Sequence, residues 1–104
     1  MDKSQELELL KDEVENAISL YESYLSGSAI RTRQMLERKG IVKALDELVQ
    51  SPEYQKGFRM LHEHNQLDKS FEALVLKYND LFSKNALACA DFRLKNPDAL
   101  KNIK

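Results

Sequence analysis

The sequence predicts an all-α fold: a compact bundle of five or six helices that opens with a long heptad-patterned helix. Three observations predict it. Apolar side chains recur at steps of three and four along most of the chain, which is the spacing that puts them on one helical face. No stretch alternates with period two over a useful length. Glycine and proline number only three and two, and they fall mostly between the periodic runs, as helix punctuation does.

Residues 4–25 form the long first helix. Leu7, Leu10, Val14, Ala17, Tyr21 and Tyr24 alternate steps of three and four, the pattern of a coiled-coil seam held for almost three heptads. Ile18 and Leu25 widen the stripe. Ser4 lacks the Glu or Gln at residue 7 that would complete a capping box, so it caps alone if it caps. Ser26-Gly27-Ser28 closes the helix, with Gly27 suited to a left-handed C-cap and Ser28 to the next N-cap. The stripe has two uses, packing inside its own bundle or pairing with a second copy as a homodimer seam, and the pattern allows both.

The second helix spans about 29–39, carries Ile30, Met35 and Leu36, and stops at Gly40. Ile41, Ala44, Leu45, Leu48 and Val49 then follow at core-facing spacing. Ser51-Pro52-Glu53 is a helix start, with serine as N-cap, proline in the first helical position and an acid in the first turn. This fourth helix turns Tyr54, Phe58 and Leu61 inward and frays near Asn65. Asp68 is the expected cap of a fifth helix showing Phe71, Leu74, Val75 and Tyr78. Leu81-Phe82-Ser83 makes the next junction, and the sixth helix carries Leu87, Ala90 and Leu94 to about Lys95, ended by Asn96-Pro97. Residues 28–96 are thus the helical core of one domain over 1–104, with 97–104 a frayed tail or one extra turn.

Composition narrows the function. With 104 residues, 42% hydrophobic and 32% charged, the chain suits one self-sufficient core. The net charge of -1 is not that of a protein that coats nucleic acid. The charge is nonetheless divided. Residues 1–25 hold seven acids against two lysines, and residues 28–43 hold five bases against Glu37 alone. Packing these two segments together would neutralise part of each. A single cysteine, a polar acidic start and no apolar run near the ~20 residues of a membrane span point to a cytoplasmic protein without a membrane anchor.

Several chemistries fail on spacing. His62 and His64 are two residues apart and point to different sides of a helix, so they cannot share a metal ion there. His64 instead suits the C-terminal end of a helix dipole. Cys89 lies among small apolar residues with no base beside it and reads as a structural thiol. No glycine-rich phosphate loop is present, and no carboxylate pair stands out. A helix-turn-helix over 54–78 would present Asp68 and Glu72 to phosphate, which argues against it. No enzyme, metal or cofactor is expected.

The remaining feature is the basic second helix. Arg31, Gln34 and Arg38 fall at i, i+3 and i+7 on one face, with Lys39 beside them, while Arg33 and Glu37 are spaced as an i,i+4 pair. Such a face can grip an acidic protein surface or hold phosphates and base edges. The leading reading is a small non-enzymatic protein–protein interaction module. The alternative is a nucleic-acid-binding regulator that uses helix 29–39.

Arg31-Thr32-Arg33-Gln34-Met35, Gly40, Gly57-Phe58, Leu67-Asp68, Phe71-Glu72-Ala73-Leu74-Val75-Leu76 and Leu81-Phe82 also resemble a set of small bacterial and phage-borne all-helical proteins of uncharacterised function. These share an RTRQM…G…GF…D..FEALVL…LF pattern, and the similarity covers about residues 30 to 94. The resemblance implies a bacterial or phage origin and carries no activity to any residue.

Overall fold

The computed structural model describes residues 2–24, 29–51 and 56–97, and in them the chain is all-α. Six α-helices follow in order: α1 (Lys3–Tyr24), α2 (Ile30–Lys39), α3 (Ile41–Gln50), α4 (Lys56–Glu63), α5 (Phe71–Lys77) and α6 (Lys84–Lys95). Two three-residue 3₁₀ turns, Leu67–Lys69 and Asn79–Leu81, flank α5. There is no strand among the described residues.

The start of α1 differs from expectation. Asp2, rather than Ser4, caps it: Asp2 Oδ1 accepts from the Gln5 backbone N–H at 2.9 Å, and Gln5 Oε1 accepts from the Asp2 N–H at 3.2 Å. This is a complete capping box, in which two otherwise unpaired donors are satisfied reciprocally. The expected caps Gly27 and Ser28, the Ser51-Pro52-Glu53 helix start beyond Ser51, Tyr54 and the 98–104 tail lie outside the described residues.

Gly40 separates α2 from α3 with φ 85° and ψ 159°. That region is open to glycine and strained for any residue with a Cβ, so the break falls where the sequence placed it. At the end of α4, Asn65 takes φ 58°, the Gln66 N–H donates to Leu61 O at 2.7 Å and the Asn65 N–H donates to His62 O at 3.1 Å. These two bonds around a left-handed residue form a Schellman stop, with asparagine in the place glycine usually fills.

The cap of α5 is also corrected. Asp68 makes no side-chain cap and sits in the 3₁₀ turn. Ser70 caps instead, accepting from the Ala73 N–H at 3.1 Å while its hydroxyl donates to Leu67 O at 2.7 Å. Ser83 caps α6 in the same way through Ala86 N at 3.1 Å. Asp46 of α3 holds that serine from the side, through its backbone N–H at 2.8 Å and its hydroxyl at 3.0 Å.

The packing centres on α3, which touches α2, α5 and α6 and buries Ala44, Leu45, Leu48 and Val49. Across the core, α1 lies on α4 and α5 and contributes Leu10, Val14, Ala17 and Ile18. Val75, Tyr78, Phe82, Ala86 and Ala90 complete the main cluster, while Met35, Ala44 and Leu48 form a second that Leu36 and Phe71 join to it. Alanines at Ala44, Ala86 and Ala90 are fully buried, where a small side chain lets helices approach closely.

Candidate functional site

The acidic first helix and the basic second helix are joined by one arginine. Arg33 projects toward α1: its Nε and Nη2 donate to the two Glu22 oxygens at 3.0 and 2.6 Å, and Nη1 donates to Glu15 at 3.0 Å. Glu22 also accepts the Ala29 backbone N–H at 2.6 Å, next to the first turn of α2. A carboxylate there takes up an orphan donor and meets the positive end of the helix dipole. Arg33 and that N–H hold the Glu22 carboxyl down at about 2, and the two carboxylates raise Arg33 in turn. The i,i+4 pair expected between Arg33 and Glu37 is therefore not what Arg33 makes. A fork of two carboxylates on α1 outcompetes one exposed carboxylate on its own helix.

With Arg33 turned inward, Arg31, Gln34 and Arg38 are left on the exposed side of α2. Ile30 is there too, 58% exposed. Lys39 is engaged within the chain, its Nζ 2.5 Å from Glu47 of α3. Three of the four basic-face residues thus share one outward surface with an isoleucine, and the fourth is drawn toward α3.

The seam residues divide differently. Leu10, Val14 and Ala17 are 0%, 2% and 5% exposed and belong to the chain's own core. Tyr21 is half-buried against that core, and Tyr24 stacks on His64 with ring centroids 3.7 Å apart. Only Leu7 stays outside, at 41%. A two-stranded homodimer seam through all six cannot coexist with this packing, because pairing would strip its central residues from α4 and α5. Of the two uses the heptad pattern allowed, this chain makes the internal one.

His64 Nδ1 lies 2.8 Å from Met60 O in the last turn of α4, so the ring meets the carbonyl end of its helix while stacking on Tyr24. Among the described residues no three His, Cys, Asp or Glu side chains gather as metal ligands. Cys89 is half-buried rather than enclosed. Glu13 receives Lys77 Nζ at 2.6 Å and the Tyr78 hydroxyl at 2.5 Å. The Glu13 carboxylate beside that hydroxyl pushes Tyr78 up to about 12.

Sequence reasoning missed one constellation. Glu72 and Arg93 are 4% and 5% exposed, and Arg93 Nη1 meets Glu72 Oε2 at 2.8 Å. Arg93 also reaches the end of α3, donating to Ser51 O at 2.9 Å and Leu48 O at 3.4 Å. One guanidinium therefore ties α3, α5 and α6 together. Burial raises the Glu72 carboxyl, and Arg93 draws it part of the way back. Glu72 is consequently absent from the surface on which a helix-turn-helix reading would place it. A signal was present: Ala86, Ala90 and Arg93 fall at i, i+4 and i+7, so Arg93 continues an apolar stripe.

Between α1, α2, α3, α4 and α5 lies a cavity of about 380 Å³. Its buried lining includes Leu48, Val49, Phe58 and Leu61, with Ser70 and Glu72 among them, and its exposed lining includes Ile30, Arg31 and Lys56. Among the described residues no helix is long and apolar enough to cross a membrane. Compared with protein-family models, curated proteins and solved structures, the chain matches none.

Proposed function

We propose that this chain is a small non-enzymatic helical module of the cytoplasm that binds another protein through the outward face of α2, as a regulatory or accessory protein of bacterial or phage origin. The observation that carries the reading is the division of α2: Arg33 is committed to Glu15 and Glu22, while Ile30, Gln34 and Arg38 are turned to solvent beside Arg31. An exposed isoleucine among guanidinium and amide groups suits a protein interface, where arginine is enriched and an apolar anchor supplies most of the binding energy. The partner that fits is an acidic segment carrying an apolar side chain for the Ile30 end.

Nucleic acid fits this face less well. Arg31 and Arg38 would neutralise about two phosphates, too few for the steep salt-dependent affinity of a backbone binder. Glu37 is exposed on the same helix, and Glu15 of acidic α1 lies behind it at 59% side-chain exposure. The ion pairs of Glu13, Glu22 and Glu72 are accounted for by helix packing, which supports the non-enzymatic part of the reading.

A photo-crosslinker at Gln34, compared with one at Lys84 on α6, tests the proposal in the source cytoplasm. An acidic protein captured from Gln34 and not from Lys84 is the expected result. Its purified complex should then weaken at least tenfold with Arg38→Glu. Equal capture from both positions, or nucleic acid bound at low salt with no protein crosslink, overturns it.

A further inference from the structure

We propose that the cavity between α1, α2, α3, α4 and α5 is a binding site for a small amphipathic carboxylate, a straight-chain acid seated tail-inward, whose head-group edge adjoins the α2 face at Ile30 and Arg31. Protein interiors pack like organic crystals, and gaps larger than a water are few. A space of about 380 Å³ lies within the range of small-molecule pockets, and at roughly 30 Å³ per water-sized group it takes about a dozen non-hydrogen atoms. That matches acids of eight to ten carbons.

The lining is graded from inside to outside. Leu48, Val49, Phe58 and Leu61 are buried, with the half-buried rings of Tyr21 and Phe71 beside them. The two buried polar groups on this wall are already satisfied. Ser70 is spent on Leu67 O and Ala73 N, and Glu72 is paired with Arg93. The interior therefore solvates hydrocarbon and asks for no charged group. At the exposed edge the lining is Ile30, Arg31 and Lys56 with the half-buried Thr32 hydroxyl beside them, and the Lys56 ammonium suits a carboxylate head. An amine at that edge would meet like charge.

The test is an NMR titration of the full chain with octanoate, octanol and octylamine, each below its micelle-forming concentration. Octanoate should give saturable one-site shifts centred on the Leu48, Val49 and Leu61 methyls, and bind at least tenfold more tightly than octanol or octylamine at low salt. Lys56→Glu, at an exposed position, should leave the fold intact and remove the preference for the acid. Gly57→Leu should block the space, since a Cβ at Gly57 would lie 3.6 Å from the Tyr21 ring, an ordinary contact. Shifts that never saturate, that spread over the surface, or that are the same for all three ligands overturn the proposal. So does an unchanged octanoate affinity in Lys56→Glu, which reads the head-group site whether or not Gly57→Leu folds.

Discussion

Replacing Arg93 with methionine is the perturbation that most directly tests how this bundle is held. Arg93 is 5% exposed and serves three acceptors: Glu72 at 2.8 Å, Ser51 O at 2.9 Å and Leu48 O at 3.4 Å. Methionine keeps much of the volume and removes every donor. What remains is a buried carboxylate without its cation, and breaking such a pair from one side costs about 3–5 kcal/mol. Single domains are stable by about 5–15 kcal/mol, so the variant should fold but sit close to its limit. With a urea slope of about 2 kcal/mol per molar, a loss near 4 kcal/mol lowers the unfolding midpoint by roughly 2 M. Adding Glu72→Met should restore much of this, because the charge disappears with its partner. The residual deficit, about 1–2 kcal/mol, belongs to the hydrogen bonds that the Arg93 guanidinium gave to Ser51 O and Leu48 O.

The single variant should also depend more strongly on pH than the parent does. Without Arg93 the folded-state Glu72 carboxyl rises further above its ordinary value of 4.5, so the folded chain keeps a proton that the unfolded chain releases. The part of its destabilisation due to the unpaired carboxylate is then absent below about 4.5 and grows as pH rises through the folded-state value, while the loss from the carbonyl hydrogen bonds stays at every pH. Urea unfolding followed by far-ultraviolet circular dichroism, at pH 5 and pH 8 for the parent, the single variant and the double variant, measures both effects. A single variant within about 1 kcal/mol of the parent, or a double variant less stable than Arg93→Met alone, refutes the reasoning.

Three further outcomes are expected. Ser70→Ala removes a fully buried N-cap that bonds on both sides, and should cost about 1–2 kcal/mol in denaturant unfolding; no loss would show that α5 does not need its cap. Gly40→Ala meets no atom within 4 Å, so any cost is purely that of φ 85° and ψ 159°; about 1–3 kcal/mol is expected, and an unchanged midpoint would mean that the α2–α3 break adopts another geometry. The Glu22 carboxyl, held at about 2, supplies stability that is fully present above 4.5 and lost as pH falls toward about 2. Carboxyl NMR should find that midpoint, and Arg33→Met should return it toward 4.5.

Much of the fold was legible in the chain because helices are local. A 3.6-residue period, a glycine at residue 40 and the Leu81-Phe82-Ser83 junction act within a few positions of themselves, and α2, α3 and α6 run close to where those signals put them. That Arg31, Gln34 and Arg38 share one face was legible for the same reason, since their spacing alone sets them there. Local signals can still compete. Asp68 and Ser70 are both good caps, and the choice fell to the serine next to Phe71 once the 3₁₀ turn had taken Asp68.

The sequence by itself determined that this chain makes helices, where most of them break, and that an acidic segment precedes a basic one. Only the tertiary structure decided what each face is for. Whether Leu10, Val14 and Ala17 served a second copy or the chain's own core depended on α4 and α5, more than 35 residues away, folding back to cover them. Arg33 chose Glu15 and Glu22 over Glu37 because two carboxylates converge on it only when α1 lies alongside α2. Glu72 and Arg93 look like surface charges in a helical pattern, and they became the buried tie between three helices when packing removed the water around both. Burial is a property of where distant segments meet, and no local period contains it.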